Sequence, residues 1–224
     1  MNEKLVIFGA AKLAEMAHFY FSRDSGYRVA AFTVDVEYAQ SGEFLGLPLV
    51  PFEDVQERYP PDGHDLFVAV GYRDLNRLRH EKCSAARAKG YALARYLSSK
   101  AAIWDDPSIG ENSMVQEGCT VQPFVTIGQG VILFCGCQIS HDVAIENFCY
   151  FAPGALVCGG ARIGERSFVG SGAVVRDGVR IGERNIIGAG CRIMENTSAG
   201  AVYVGEKTKP FFLDADQFLK KKDI

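Results

Sequence analysis

The residues from Ile103 to Val204 repeat every six positions without interruption, and this period constrains the fold more than any other feature. The stretch contains 102 residues, which divide into 17 hexads in one register. The first hexad position is Ile, Val or Leu in 15 of the 17, the exceptions being Phe151 and Ala199. A fixed six-residue period predicts a solenoid of stacked coils, and specifically a β-helix.

The hexad register predicts how the coils stack. Three hexads form one triangular coil, so residues 18 apart should lie above one another at about the 4.8 Å spacing of neighbouring strands. Apolar residues at position 1 and small residues at position 5 should point inward, with glycine at position 2 in several corners. No insertion interrupts the hexads, so the faces should be flat, and we expect them to pack against copies of the chain in a cyclic homotrimer.

The cysteines fit the same register rather than a disulfide or metal framework. The chain has seven cysteines, an odd number, and no CxxC pair. We interpret the cysteines at hexad position 5 as small apolar filler of the β-helix interior: Cys119, Cys137, Cys149 and Cys191. The hexads contain a single histidine, so they cannot supply a three-histidine zinc site, and we predict no metal.

The residues before the hexads alternate between apolar runs and helical patterns. Strands are predicted at 4–8, 27–34, 46–50, 66–70 and 91–97, and helical segments at 10–23, 52–58 and 73–89. Such alternation predicts a small, mostly parallel α/β sheet. The predicted organisation is an α/β domain over 1–98, a β-helix over 103–204, and a C-terminal tail over 205–224 that contains a short helix and a run of lysines.

Charge and hydropathy exclude several classes of partner. The formal net charge of −3 gives no reason to expect nucleic acid or an anionic membrane. No apolar run approaches the roughly 18 residues of a membrane span. The apolar run near the N-terminus is too short for a signal-peptide core, so a cytoplasmic protein is predicted.

The predicted sheet places Gly9, Asp35 and Gly71 at the carboxyl ends of strands, where open α/β sheets bind ligands. The turn from Gly9 to Ala14 keeps only the first glycine of a dinucleotide-binding G-x-G-x-x-G motif. A nucleotide-binding turn and a purely structural strand-to-helix turn therefore both remain open. Lys12, at the start of the predicted helix, would add positive charge for a phosphate.

His141 is the only histidine in the hexads, and the register predicts its surroundings. Counting by 18 gives a column of stacked residues, Pro123, His141, Gly159, Asp177 and Glu195. The Gly159 amide should lie one coil from the imidazole, with no side chain between them. A histidine base beside an open backbone donor suits acyl transfer, since the base removes a proton and the amide stabilises the oxyanion. Asp142 either favours the imidazolium or is a corner residue.

Together, the hexads, the His141–Asp142 pair and the preceding α/β domain resemble the bacterial sialic acid O-acetyltransferase family, which includes N-acetyltransferases of nucleotide-linked 4-amino-sugars. The resemblance covers nearly the whole chain. It implies a left-handed β-helix, a homotrimer, and acetyl-CoA bound between adjacent solenoids. It also implies that His141 is the general base, that Asp142 raises its basicity, and that the Gly159 amide stabilises the oxyanion.

The same resemblance assigns binding residues. For CoA it implies Gly160, Ser171 and Ala189, with Tyr150 standing where the family has a second histidine. For the nucleotide-linked sugar it implies Gly9, Lys12, Leu13, Ala14, Val34, Asp35, Gly71 and Arg77. The chain departs from the family in the lost later glycines of the first turn, in Val34–Asp35 where paired acidic residues are usual, and in the altered closing segment GEKTKPFF.

Three functions follow from these observations. The leading prediction is an acetyl-CoA-dependent N-acetyltransferase that acts on a nucleotide-linked amino-deoxy sugar in surface polysaccharide biosynthesis. O-acetylation of a sugar or sialic acid on the same scaffold is the second. The third is a non-catalytic scaffold whose α/β domain binds a nucleotide, which the loss of glycines after Gly9 would fit.

Overall fold

A computed structural model describes residues 3–104 and 108–220 of the chain. The first two residues of the predicted α/β domain lie outside the described residues. So do three residues of the first hexad, 105–107, and Lys221 and Lys222 of the predicted lysine run.

The N-terminal part is a mostly parallel sheet with strand order β3-β4-β2-β1-β5. Strand β1 lies between β2 and β5 and is almost wholly buried, because both of its faces are covered. The strands are β1 Lys4–Phe8, β2 Arg28–Val34, β3 Glu43–Phe44, β4 Leu47–Pro51 and β5 Asp65–Val68. The helices are α1 Lys12–Arg23, α2 Val55–Arg58 and α3 Arg77–Ala88, with a 3₁₀ turn at Val36–Tyr38. Helix α1 buries Ala14, Ala17 and Phe21 on one face, as its 3.6-residue period predicts.

The remaining described strands form three parallel sheets, and each strand is two residues long. From Tyr96 to Arg192 a new strand begins at every sixth residue, whereas the last strand begins at Val202, ten residues later. Face 1 contains β6 Tyr96–Leu97, β9 Met114–Val115, β12 Ile132–Leu133, β15 Tyr150–Phe151, β18 Phe168–Val169, β21 Ile186–Ile187 and β23 Val202–Tyr203. Face 2 contains β7 Ala102–Ile103, β10 Thr120–Val121, β13 Gln138–Ile139, β16 Leu156–Val157, β19 Val174–Val175 and β22 Arg192–Ile193. Face 3 contains β8 Ser108–Ile109, β11 Thr126–Ile127, β14 Ala144–Ile145, β17 Arg162–Ile163 and β20 Arg180–Ile181. A short helix, α4 Ala215–Lys220, lies in the tail.

As far as Ile193, residues 18 apart pair in register on every face, for example Gln138 with Leu156 on face 2. In the last coil Ile186 pairs with Val202, only 16 residues later, so the predicted single hexad register as far as Val204 is wrong for this coil. Positions 1 and 5 fill the interior with one continuous apolar cluster, which includes the four position-5 cysteines. Burial raises the pKa of the Cys149 thiol to about 12, so this thiol is unreactive at neutral pH. The predicted fold class, a left-handed β-helix after a small α/β domain, is confirmed.

In the α/β domain, one predicted strand differs from the structure and one hairpin was not predicted. The predicted strand over 91–97 is divided: Leu93 makes a bridge to Leu66 of the α/β sheet, whereas Tyr96–Leu97 is the first strand of face 1. The apolar run alone cannot reveal that one segment serves two sheets. The prediction also missed the antiparallel β3–β4 hairpin, whose turn is formed by Leu45 and Gly46 with φ of 51° and 76°. A turn with two positive φ values is typical of a two-residue hairpin, but its usual sequence is Asn-Gly.

The α/β sheet is joined directly to the β-helix. The Val68 N–H donates to Asn112 Oδ1 at 2.7 Å, and Asn112 Nδ2 donates to Val68 O at 3.2 Å. At the other side of the junction, the Tyr96 hydroxyl donates to Asp24 at 2.7 Å. These bonds fix the carboxyl edge of the α/β sheet relative to the coils of the β-helix.

Candidate active site

His141 lies in the turn between faces 2 and 3, in the column of turns that we call the open corner. Its Nδ1 lies 2.9 Å from Oδ2 of Asp142, and both side chains are more than half exposed. Asp142 has a φ of 59°, a left-handed conformation that aspartate tolerates better than most residues. With the proton on Nδ1 donated to this carboxylate, Nε2 keeps a free lone pair and can accept a proton.

Hydrogen bonds from neighbouring coils hold the backbone of His141. Its N–H donates to Oε1 of Gln122 at 2.9 Å, and its carbonyl accepts from the Gly160 N–H at 2.9 Å. The Asp142 N–H donates to Pro123 O at 3.2 Å. The imidazole is therefore exposed but is carried by a fixed backbone, as a general base requires.

Gly159 lies directly against the imidazole of His141. A Cβ at Gly159 would lie 2.7 Å from Cε1 and 2.8 Å from Nε2, so any side chain here would displace the ring. The carbonyl of Gly159 accepts from the Gly178 N–H at 2.9 Å. Among the described residues, the Gly159 N–H has no acceptor, so it is available to a ligand.

The open N–H of Gly159 has a local explanation. At some turns, a side chain at hexad position 2 of the preceding coil accepts the N–H of position 3, as Gln116 does for Cys135 and Glu146 for Glu165. Gln122 does the same for His141 itself. For Gly159 the corresponding residue is Ser140, which makes no such bond in the described structure. The sequence therefore leaves a backbone donor open beside His141.

The residues assigned to CoA do not all lie beside His141 in one copy of the chain. Gly160 follows Gly159 in the open corner. Ser171 and Ala189 are exposed and stacked in the turns between faces 1 and 2, where the Gly190 N–H donates to Ser171 O at 2.9 Å. They belong to a different corner from His141.

Tyr150 is nearly buried on face 1, where the β-helix packs against the α/β domain. Its ring stacks on Phe168 with centroids 5.5 Å apart, and it contacts Phe134 and Tyr72 at centroid distances of 5.2 and 5.1 Å. Burial raises the pKa of its hydroxyl to about 12. Within one chain, Tyr150 thus belongs to an aromatic cluster between the domains rather than to the open corner.

The first half of the residues assigned to the nucleotide-linked sugar surrounds the turn after β1. Gly9 has a φ of 127°, and a Cβ there would lie 2.9 Å from Ala69 O, so this position requires glycine. Lys12 is exposed at the start of α1 and forms an ion pair with Glu15 at 2.6 Å. Ala14 is buried and the half-buried Leu13 packs against the same core, so their side chains support the turn.

The other half follows β2 and β5 at the same edge of the sheet. Val34 is buried at the end of β2, and the next residue, Asp35, forms an ion pair with Lys82. The Gly71 carbonyl accepts from Arg79 Nη1 at 3.1 Å. Arg77 is exposed at the start of α3 and forms ion pairs with Asp74 and Glu81. The structure therefore brings the predicted residues to one edge, with the charged ones paired within the protein.

Several residues at these sites were not predicted from the sequence. Gln122 and Lys82 are ordinary polar residues in the sequence, and only the stacking of coils and helices gives them partners. Arg79 is different, because it shares the buried face of α3 with Cys83 and Ala86 at helical spacing. An arginine at an apolar position of a helix was a signal that the sequence contained.

No group of three His, Cys, Asp or Glu side chains in the described part of the chain is arranged to hold a metal. Among the helices within residues 3–104 and 108–220, none combines the length and apolar character of a membrane span.

A family model and several solved structures match the chain. Residues 160–195 match the model described as bacterial transferase hexapeptide (six repeats). The acetyltransferase domain of PglB from Neisseria gonorrhoeae FA1090 is 27% identical, covers 94% of this chain and 100% of its own, and superposes with a TM-score of 0.82. The GDP-perosamine N-acetyltransferase of Caulobacter crescentus is 28% identical over 90% of this chain and 93% of its own, with a TM-score of 0.81. WeeI from Acinetobacter baumannii AYE, 24% identical with a TM-score of 0.77, shares the fold. No sequence among the curated proteins matches significantly.

Proposed function

Since the chain belongs to the hexapeptide-repeat acyltransferases of the sialic acid O-acetyltransferase and amino-sugar N-acetyltransferase family, we propose that it acetylates a nucleotide-linked amino-deoxy sugar. The acyl donor is acetyl-CoA and the chain is a sugar acetyltransferase. The proposal concerns the finer points: that the acceptor is an amine, that a nucleotide carries the sugar, and that His141 is the general base.

The observation that carries this proposal is the pairing of His141 with the open N–H of Gly159. In the reaction, the amine nitrogen of the sugar forms a bond to the thioester carbonyl carbon, and Nε2 of His141 takes the proton that the nitrogen loses. The Gly159 N–H meets the oxyanion, and the imidazolium of His141 is stabilised by Asp142. When the C–S bond breaks, His141 returns the proton to the thiolate, so the products are the acetamide and CoA.

The structural relatives support the acceptor and the base. Structures of the relative from Caulobacter crescentus hold CoA together with GDP-perosamine, and two of them carry a histidine replaced by alanine or asparagine. A structure of the PglB domain holds acetyl-CoA. The chain covers nine-tenths or more of these relatives, including both the α/β part and the β-helix.

In this proposal, the α/β domain binds the nucleotide of the acceptor. Gly71 leaves open space at the carboxyl edge of the sheet, Gly9 allows the tight turn after β1, and Lys12 and Arg77 are exposed near this edge. Binding the nucleotide there, away from the reacting amine, supplies binding energy that holds the amine near His141. Asp35 and the turn from Lys12 to Ala14, supported by Leu13, would contact the nucleoside, with Val34 fixing the position of Asp35.

We extend the proposal to the assembly. Ser171 and Ala189 lie at a different corner from His141, and a cleft between two β-helices would bring these residues and Gly160 to one CoA molecule. A homotrimer with three such clefts satisfies this requirement, and CoA would contact Tyr150 there at the edge of its aromatic cluster. The proposed setting is the cytoplasm, in surface polysaccharide biosynthesis.

The test is thiol release from acetyl-CoA with amino sugars linked to UDP, GDP, dTDP and CMP. We expect His141→Ala to lower kcat on the best substrate by about 10²- to 10⁴-fold, the usual contribution of a general base. Asp177→Ala, an exposed change in the same column, is the matched control and should keep full activity. Full turnover by His141→Ala would show that another group is the base.

Product analysis separates the two acceptor chemistries. An amide product survives mild alkaline treatment, whereas an ester is hydrolysed. An alkali-labile product would replace N-acetylation by O-acetylation, and absence of transfer to every sugar would favour a non-catalytic scaffold.

A further inference from the structure

Arg79 is a fully buried arginine at the junction of the α/β domain and the β-helix. It has no exposed surface and is the largest of the completely buried side chains. It projects from α3 on the face that also buries Cys83 and Ala86. Arginine is almost never fully buried unless it is paired, so its position needs a reason.

The guanidinium of Arg79 donates only to backbone carbonyls, and these come from three separate segments. Nη1 donates to Val70 O at 2.9 Å and to Gly71 O at 3.1 Å, in the loop after β5. Nε donates to Gly130 O at 3.1 Å, and Nη2 lies 3.4 Å from both Phe148 O and Cys149 O. The fork of this one side chain thus joins the strand-edge loop to two successive coils of the β-helix.

No carboxylate pairs with Arg79 among the described residues. Burial lowers its pKa to about 10, so the group still carries its charge at neutral pH. A buried ion is weak evidence for stability, because apolar residues of similar size often serve as well or better. What an apolar residue cannot do is hold several carbonyls at fixed positions through a planar fork.

Arg79 connects the part of the protein proposed to bind the nucleotide with the part that carries the proposed base. Gly71 lies at the sheet edge assigned to the nucleotide-linked sugar, and Phe148 follows His141 in the same coil of the β-helix. The contacts of Arg79 are therefore among those that hold the sheet edge relative to the coil of His141, together with the bonds between Val68 and Asn112. A misplacement of about 1 Å at a reacting centre is enough to cost roughly 10²-fold in rate.

We propose that Arg79 is a positioning residue, whose guanidinium sets the Gly71 loop at the distance from the His141 coil that lets a nucleotide-held amine reach the base. This inference rests on the proposed function. It assigns to the junction a role in acceptor alignment that is separate from the role of His141 in chemistry.

The test compares a nucleotide-linked amino sugar with the same amino sugar lacking the nucleotide. In Arg79→Met, kcat/KM for the nucleotide-linked acceptor should fall by about 10- to 100-fold, with a loss in kcat at saturation. Slow turnover of the free amino sugar, which does not use the α/β domain, should be unchanged. The free-sugar reaction also reports whether the variant is folded.

Arg87→Met is the matched control, because Arg87 lies on the same helix and joins it to Glu111 and Gln129 of the β-helix but not to the Gly71 loop. It should leave the ratio of the two acceptors unchanged. Arg79→Lys keeps the charge without the planar fork, so it should resemble Arg79→Met.

The outcomes are distinguishable. Equal losses on both acceptors, or wild-type behaviour of Arg79→Lys, would overturn the positioning role and leave the proposed function intact. If the wild-type protein transfers acetyl groups to no nucleotide-linked amino sugar, the proposed function fails and this inference falls with it.

Discussion

The open corner with His141 and the corner between faces 3 and 1 are built from the same hexads. The first is exposed, whereas the second is covered by another part of the chain. We call the second one the docked corner, because it packs against α3. Each corner places a phenylalanine at hexad position 4 in a left-handed conformation, Phe124 with a φ of 66° and Phe148 with a φ of 56°. Phe148 is completely buried, whereas Phe124 is 79% exposed.

The difference follows from what faces each corner. At the docked corner, the ring of Phe148 stacks on His80 with centroids 4.5 Å apart, and its carbonyl accepts from Arg79. At the open corner, the ring of Phe124 contacts no other aromatic ring within the described residues, and the Gly159 N–H is unbonded. A repeat thus supplies equivalent positions, and the neighbouring element decides whether a position stabilises the fold or remains open to a ligand.

The largest effect on stability is expected at the docked corner. Phe148→Ala should lower the free energy of unfolding by about 3–5 kcal/mol, because it leaves a cavity where the ring now packs. Urea denaturation of the variant measures this loss. Phe124→Ala is the matched control at the same hexad position and should change the free energy by less than about 0.5 kcal/mol. Equal losses in the two variants would remove the distinction between the corners.

The next effect is on catalysis at the open corner. Gly159→Ala should lower kcat by about 10²-fold, because the new Cβ displaces the imidazole of His141 from its position. Its thermal stability should stay close to that of the wild type, since the imidazole is exposed and free to move outward. Steady-state kinetics with the best amino-sugar nucleotide measures the change. Unchanged kcat would mean that the imidazole does not work from its place beside Gly159.

The architecture of the β-helix and the stacking of Gly159 on His141 could be predicted because both depend only on a period. Eighteen residues per coil puts Gly159 above His141 whatever surrounds them, and it explains the buried cysteines equally well. The α/β strands were also predictable, since apolar runs such as Leu5–Phe8 are typical of buried parallel strands.

The six-residue period does not predict which element of the chain packs against each corner. Nothing in the hexads distinguishes Phe124 from Phe148, because one ring is covered by α3, a helix from a distant part of the chain. The same holds for Tyr96–Leu97, which pairs with Met114–Val115 rather than with the α/β sheet. The position of Arg79 on the apolar face of α3 could be read from the sequence, but its partners could not, because they are backbone carbonyls.

The smallest expected effect is that of replacing Phe124 by glycine, which should change the free energy of unfolding in the opposite direction to the same replacement at Phe148. A left-handed conformation costs a residue with a side chain about 1–2 kcal/mol, whereas glycine adopts it freely. Glycine also loses more backbone entropy on folding, by roughly 0.5–1 kcal/mol. Phe124→Gly should therefore raise the free energy of unfolding slightly, by about 0.5 kcal/mol, while Phe148→Gly lowers it. Urea denaturation of the assembled protein measures both changes. A loss of more than about 1 kcal/mol in Phe124→Gly would mean that the ring is covered in the assembly, and that the open corner is partly an interface between copies of the chain.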